Sequence, residues 1–349
     1  MIFDPILDLL RGKAVTIPPL DGAFRPNTRL DDAPAIAGLI EPDNLLVADG
    51  RLLASSGNAV YAIAGGVEAK VLETFPSPIA ALALSPSGEL TVGLESGKLL
   101  ISGKEVSLPA GVSCITALAY AEDGTLWLAN GSAEHAPSQW AVDLMKKGAS
   151  GSLWKRDAAG GAFRKVAGDI AFPYGLHPIG RDMLASESWR HQLIRLDGAT
   201  GGRSTVLTHL PGYPSRLSPS ADGGAWLALF APRNRLIEFV LQETHYRQDM
   251  IDQVPPAYWI APALASNRSF LEPLQCGGIR TMGIHKPWSP SRSYGLVVKL
   301  DQKMQPQFSL HSRANGTRHG ICSVAEKDGL LFIASRGGDC VLAVDTGGL

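Results

Sequence analysis

The 349-residue chain is 45% hydrophobic and 19% charged, with 38 glycines and 24 prolines, the balance of a folded protein with a large core and many turns. Its formal charge of −1 excludes the strong positive field that draws a protein to a phosphate backbone, so no nucleic-acid partner is expected. No apolar run reaches the roughly 18 residues that cross a bilayer, so no transmembrane segment is expected.

Residues 1–34 read as a lead-in to a single body over residues 35–349. In the first stretch Ile2, Phe3, Ile6, Leu7, Leu9 and Leu10 fall on one broad face of a short helix. That helix either lies on the body or contacts a membrane surface or partner, with only Arg11 and Lys13 to supply positive charge. Asp4, Pro5 and the lack of a small-residue cleavage site argue against a secretion signal, and a cytoplasmic location is expected. The sequons at Asn130, Asn267 and Asn315 then carry no weight. The next segment, to about residue 33, is extended and punctuated by proline.

Then one pattern repeats: a short apolar strand, a tight turn ending in or built on glycine, and a second strand of small and β-branched residues. The turns fall at Asp49-Gly50, Ser87-Gly88, Asp123-Gly124, Gly180-Arg181-Asp182, Asp222-Gly223 and Asp328-Gly329. Uninterrupted copies lie roughly 36 to 41 residues apart, with no helical period between them. A single meander cannot bury both faces, but six arranged radially bury them against one another and leave only short outer edges. The predicted fold is all-β, a six-bladed β-propeller with a short N-terminal helix and a helical insertion late in the chain. The late closing strand GSLWKRD marks one insertion, over about residues 134–150, with a helix-like middle. The fifth copy is read through RNRLIEFV, and a longer insertion follows over about residues 242–293. Such insertions on a rigid ring form lids or walls of binding sites.

Cys114, Cys276, Cys322 and Cys340 have no C-x-x-C pairing and are expected to be free, buried thiols. No G-x-S-x-G, H-E-x-x-H or Walker pattern is present, which removes the usual signals for a serine elbow, a zinc helix and a nucleotide loop.

The runs LAYAEDGTLWLAN, GSLWKRD, SESWRHQLIRL, LPGYPSRLSPSADGGAWLAL and VAEKDGLLFIAS resemble blades of the strictosidine synthase-like family and, more distantly, the gluconolactonase, paraoxonase and diisopropyl fluorophosphatase propellers. The resemblance spans roughly residues 39–345. It implies a six-bladed ring with a small-molecule site at one mouth of its channel. Hydrolytic members hold calcium at the channel base with side chains from the starts of the innermost strands. The matching positions are Asp43, Thr116, Tyr174 and Ser215, of which one is a carboxylate. Calcium needs several hard oxygen ligands, so no metal and no cofactor are expected, with calcium as the alternative. The acid/base glutamate of strictosidine synthase falls on Cys322, so amine–aldehyde condensation stands only as a further alternative.

Asp43 reads either as an acid/base or as a cap on backbone N–H groups. Cys322 reads as a nucleophile with His319 as its base, or as a plain buried thiol. Thr116, Tyr174 and Ser215 either orient a polar ligand by hydroxyl hydrogen bonds or plug a disused metal position. His285 and Trp288, in the long insertion, wall the mouth or pack the insertion down. His177, Glu187 and His191 are expected to hydrogen-bond between blades. The expected activity is metal-independent hydrolysis or lysis of a small organic molecule, with ester or lactone opening foremost. The alternative is a small-molecule-binding or interaction propeller that has lost its chemistry.

Overall fold

A computed structural model describes residues 16–64, 69–266, 268–269, 271–273, 280–281, 284–285 and 291–349. The helix expected over residues 2–10, Cys276 and Trp288 lie outside them, and for His285 only the backbone is described.

Six four-stranded antiparallel sheets are present. Blade 1 comprises Asp43–Ala48, Arg51–Ser56, Ala59–Ile63 and Ala69–Thr74; blade 2 comprises Ile79–Leu84, Leu90–Leu94, Leu99–Ile101 and Lys104–Val106. Blade 3 takes Ile115–Tyr120, Leu126–Asn130, Gly151–Arg156 and Arg164–Ile170, and blade 4 takes Pro173–Ile179, Asp182–Glu187, Gln192–Leu196 and Arg203–Leu207. Blade 5 is Gly212–Pro219, Ala225–Pro232, Gly295–Leu300 and Pro306–Ser312. Blade 6 is Ile321–Lys327, Leu330–Ser335 and Cys340–Asp345, with Ala35–Gly38 from the start of the chain as its outer strand. The innermost strands touch in a closed cycle from blade 1 to blade 6 and back. Pairing of the first described strand with the last closes the ring without a free inner edge.

The hairpin turns explain the glycines. In Asp49-Gly50 and Asp328-Gly329 both residues have positive φ (47° and 73°, 51° and 75°), the two-residue hairpin geometry that matches strand twist. An apolar cluster fills each space between blades. Leu53, Val60, Leu82 and Val92 lie between blades 1 and 2, and Ala117, Leu153, Leu176 and Ile194 between blades 3 and 4. Asn130, one of the sequon asparagines, is fully buried and accepts from the Ser113 and Cys114 N–H groups.

The fifth repeat departs from the sequence reading. RNRLIEFV is not strand but the start of helix α2 (Arg235–Gln242), after the short helix α1 (Trp140–Met145) in the earlier insertion; helix α3 (Thr244–Gln253) follows. The insertion therefore opens after Pro232, about nine residues earlier than expected, and blade 5 resumes at Gly295. Asn234 caps α2 through its side chain, accepting from Leu236 N. The buried stripe Ile237, Val240 and Leu241 packs with Leu144, Met145, Tyr213, Phe230, Met250 and Trp259 on the upper face of the ring. Glu238 on the same helix accepts from Arg233 Nε (2.9 Å) and lies 3.3 Å from His191 Nε2 of blade 4. Among the described residues no helix is long and apolar enough to cross a membrane.

Several buried groups make stability depend on pH. Burial pushes His177 and His311 down to about 4. For Glu238 burial alone would raise the pKa, but hydrogen bonds from His191 and Arg233 outweigh it and hold the group at about 2. Each folded value lies below the ordinary one, so the unfolded chain takes up protons first as pH falls and the native state loses stability. The urea midpoint is expected to fall as pH drops from 6.5 to 4 through the histidines, and further from 4.5 toward 2 through Glu238. A midpoint unchanged between pH 7 and pH 4 would contradict this.

Candidate functional site

Every innermost strand has a register irregularity at one level of the channel. At or beside these bulges stand Asp43, Ala80, Thr116, Tyr174, Ser215 and Cys322, one from each blade. A bulge re-aims a side chain without breaking the sheet; the six stand at one level of the channel, which forms a floor, and Asp43, Ala80, Thr116 and Tyr174 among them line an axial cavity. In blade 5 the irregularity spans both Ser215 and Arg216, which turns Arg216 toward the axis as well. Gly175 makes room for this: a Cβ there would lie 2.2 Å from Ser215 O and 2.8 Å from Arg216 Cα.

Arg216 is 9% exposed and crosses the floor. Its Nε donates to Asp43 Oδ1 (2.9 Å) and one terminal nitrogen to Asp43 Oδ2 (3.1 Å), a bidentate pair. That nitrogen also donates to Ala80 O (2.8 Å), and the other to Thr116 O (2.6 Å). The guanidinium sits 5.2 Å from the centre of the Tyr174 ring. One side chain from blade 5 thus meets blades 1, 2, 3 and 4.

Burial alone would raise the pKa of Asp43, but the Arg216 charge and hydrogen bonds, with Arg336 and the Asn44 N–H, hold its carboxyl below the usual range. Arg336 approaches from the loop after the second strand of blade 6. It pairs with Glu41 Oε2 (2.9 Å), lies 3.9 Å from Asp43 Oδ2, and reaches the Tyr174 hydroxyl at 3.5 Å. Its buried Nε has no partner among the described residues.

Above the floor is a cavity of about 710 Å³, bounded by Asp43, Thr116, Tyr174, Arg336, Glu41 and Glu95 with aromatic walls from Tyr61, Trp140 and Phe172. The insertions supply Trp140 and Leu264, so they wall this mouth as expected. Below the floor, on the far side of Arg216, a second cavity of about 430 Å³ is ringed by Leu45, Leu82, Leu118, Leu176, Leu217 and Val324, one from each blade.

The predicted residues separate into two groups. Asp43, Thr116 and Tyr174 line the upper cavity. The Thr116 hydroxyl, however, donates to Pro173 O (2.5 Å) and the Ser215 hydroxyl to Ala228 O and Ile321 O (3.1 and 3.3 Å), so both tie neighbouring blades together. Burial raises the Tyr174 pKa, with Cys322 and Asp43 adding to it, and keeps the phenol protonated. Cys322 is fully buried, and burial with the nearby Asp43 charge pushes its thiol up to about 12, far from the thiolate a nucleophile needs. His319 does lie in the loop before that strand, but its Nδ1 meets Ser293 Oγ (2.8 Å) and its Nε2 meets Arg313 O (2.8 Å). The structure therefore does not bring Cys322 and His319 together as nucleophile and base. Trp288 and the side chain of His285 lie outside the described residues. His191 bonds between blades through Gly212 O (3.2 Å), while Glu187 accepts from Ala171 N and Gln192 Nε2 within its own corner. His177 instead lines the lower cavity.

Sequence reasoning missed Arg216 and Arg336. The available signal was a cation directly after Ser215 in an otherwise uncharged strand, and another in the S-R-G-G-D loop after a largely buried strand.

Calcium, the alternative that the resemblance implies, can be tested against this floor. Asp43 is its one carboxylate and both oxygens already accept from Arg216, with Arg336 a second positive charge beside them. No cluster of three or more acidic, histidine or cysteine side chains suited to a metal occurs among the described residues. These residues do not fit a divalent cation.

No protein-family profile and no curated protein sequence matches the chain. Solved structures share its architecture. One, a candidate gluconolactonase from a structural-genomics programme, aligns with a TM-score of 0.54 at 12% identity, covering 90% of this chain and 91% of its own. A gluconolactonase from Xanthomonas campestris aligns with a TM-score of 0.55 at 14% identity, covering 88% of this chain and 86% of its own. At these identities the likeness establishes the fold.

Proposed function

We propose that this propeller binds a small lactone or ester at its upper mouth and hydrolyses it without a metal ion. The observation that carries the reading is the joint presence, on one 710 Å³ cavity, of the ionised Asp43 and the Arg336 guanidinium, 3.9 Å from its Oδ2. The fold shared with gluconolactonases supports the same class of substrate.

In this reading a carbonyl oxygen accepts from Arg336. Water adds to the carbonyl carbon, Asp43 takes the water's proton, and the developing negative charge on oxygen is held by the guanidinium. As the ring C–O bond breaks, the proton passes to the departing alkoxide and a hydroxy acid leaves. Tyr174, kept protonated, borders the same space as a further donor.

One observation favours a second reading, a ligand-binding propeller without turnover: both Asp43 oxygens are engaged by Arg216, and its lowered pKa weakens it as a base. A panel of aliphatic and aromatic lactones and aryl esters, assayed with chelator and with calcium, separates the two. Turnover that survives chelator and is lost in Asp43→Asn is the expected result. Ligand-induced thermal stabilisation with no turnover would replace the first reading by the second, and turnover that appears only with calcium would overturn the metal-free mechanism.

A further inference from the structure

We infer that the Arg216 guanidinium is the resident axial cation of this propeller. It stands on the channel axis among oxygens of blades 1, 2 and 3, and its removal leaves a pocket selective for a small planar cation of the guanidinium class. The inference is independent of lactone hydrolysis, because its test reads stability and binding alone.

The acceptors around the guanidinium are four oxygens: two from Asp43, one from Ala80 and one from Thr116. Four acceptors shared among its three nitrogens suit a rigid fork of N–H donors. They fall short of the roughly six to eight oxygens that calcium gathers. The fifth neighbour is the ring of Tyr174, whose centre is 5.2 Å away and whose face attracts a flat organic cation.

Backbone and sequence are both shaped for this occupant. The widened bulge of blade 5 delivers the side chain, and Gly175 of blade 4 yields the space through which the Ser215–Arg216 backbone passes. Two of the four oxygens are backbone carbonyls at the bulges of blades 2 and 3, so the guanidinium also satisfies groups that the interrupted ladders leave unpaired. The side chain separates the upper cavity from the leucine-ringed lower one, since it lines the lower while its partners line the upper.

The test is thermal unfolding of the full chain and of Arg216→Ala, each with methylguanidinium, calcium chloride, chelator or sodium chloride at matched ionic strength. Wild-type Tm is expected to ignore calcium and chelator. Arg216→Ala is expected to unfold at lower temperature and to regain about 2–4 °C with methylguanidinium but not with sodium chloride. If Arg216→Ala does not fold, Asp43→Asn/Arg216→Met, which leaves no unpaired buried charge, is expected to fold and to ignore methylguanidinium. Wild-type Tm that rises with calcium and falls with chelator would overturn the inference. So would equal effects of methylguanidinium on Arg216→Ala and wild type, or failure of both variants to fold.

Discussion

Replacing Asp43 with alanine is expected to lower the unfolding free energy by about 3–5 kcal/mol. The figure comes from the partner left behind rather than from the lost contacts. Arg216 has 11% of its side chain exposed, and Asp43 supplies the negative charge that makes a buried guanidinium tolerable. Alanine strands that charge among Ala80 O, Thr116 O and the Tyr174 ring, none of which neutralises it. Asp43→Asn keeps the volume and one acceptor oxygen, so it is expected to cost less than Asp43→Ala while still removing the charge. Urea denaturation checks both: midpoints should shift in that order with unchanged slopes. An alanine variant within about 0.5 kcal/mol of wild type would show the Asp43–Arg216 pair to be solvated rather than buried.

The largest kinetic effect is expected at Arg336. Arg336→Met should reduce kcat/KM for the best lactone or ester by roughly 10²–10³-fold, as loss of one oxyanion donor does elsewhere, with little change in Tm. The two readouts separate because Arg336 is placed differently from Arg216. Its strong partner, Glu41, is 48% exposed, and an ion pair in that setting is worth about 0–1 kcal/mol. Its other neighbours, Asp43 Oδ2 at 3.9 Å and the Tyr174 hydroxyl at 3.5 Å, are longer contacts. Glu41→Gln is the comparison: it removes the same ion pair but keeps the guanidinium, so it is expected to lose less turnover than Arg336→Met. Equal loss of activity in both variants would mean that the pair only orders the loop, and undiminished turnover in Arg336→Met would remove Arg336 from the reaction.

The strands and turns were legible because their causes are local. Asp49-Gly50 and Asp328-Gly329 adopt the positive φ values that aspartate and glycine tolerate in tight hairpins. The misread segment shows the limit of that logic. Leu236, Ile237, Phe239 and Val240 are as apolar as a strand, yet Ile237, Val240 and Leu241 share a helical face and Asn234 stands at the N-cap. Apolar density was read there instead of spacing. The resemblance also pointed to Asp43, Thr116, Tyr174, Ser215 and Cys322, which stand at or beside the bulges of the innermost strands. It did not settle their roles. Thr116 and Ser215 tie blades together, and whether a hydroxyl faces a ligand or a neighbouring carbonyl depends on the next blade.

The sequence by itself determined the number of blades and the positions of their turns, because each follows from residues a few positions apart. Tertiary structure alone decided that Arg216 sits on the axis and holds Asp43 ionised. Its acceptors on Asp43, Ala80 and Thr116 lie 173, 136 and 100 residues away along the chain. Only ring closure brings those acceptors within reach of one side chain, and no local pattern of charge or spacing encodes a contact that exists solely where six sheets converge.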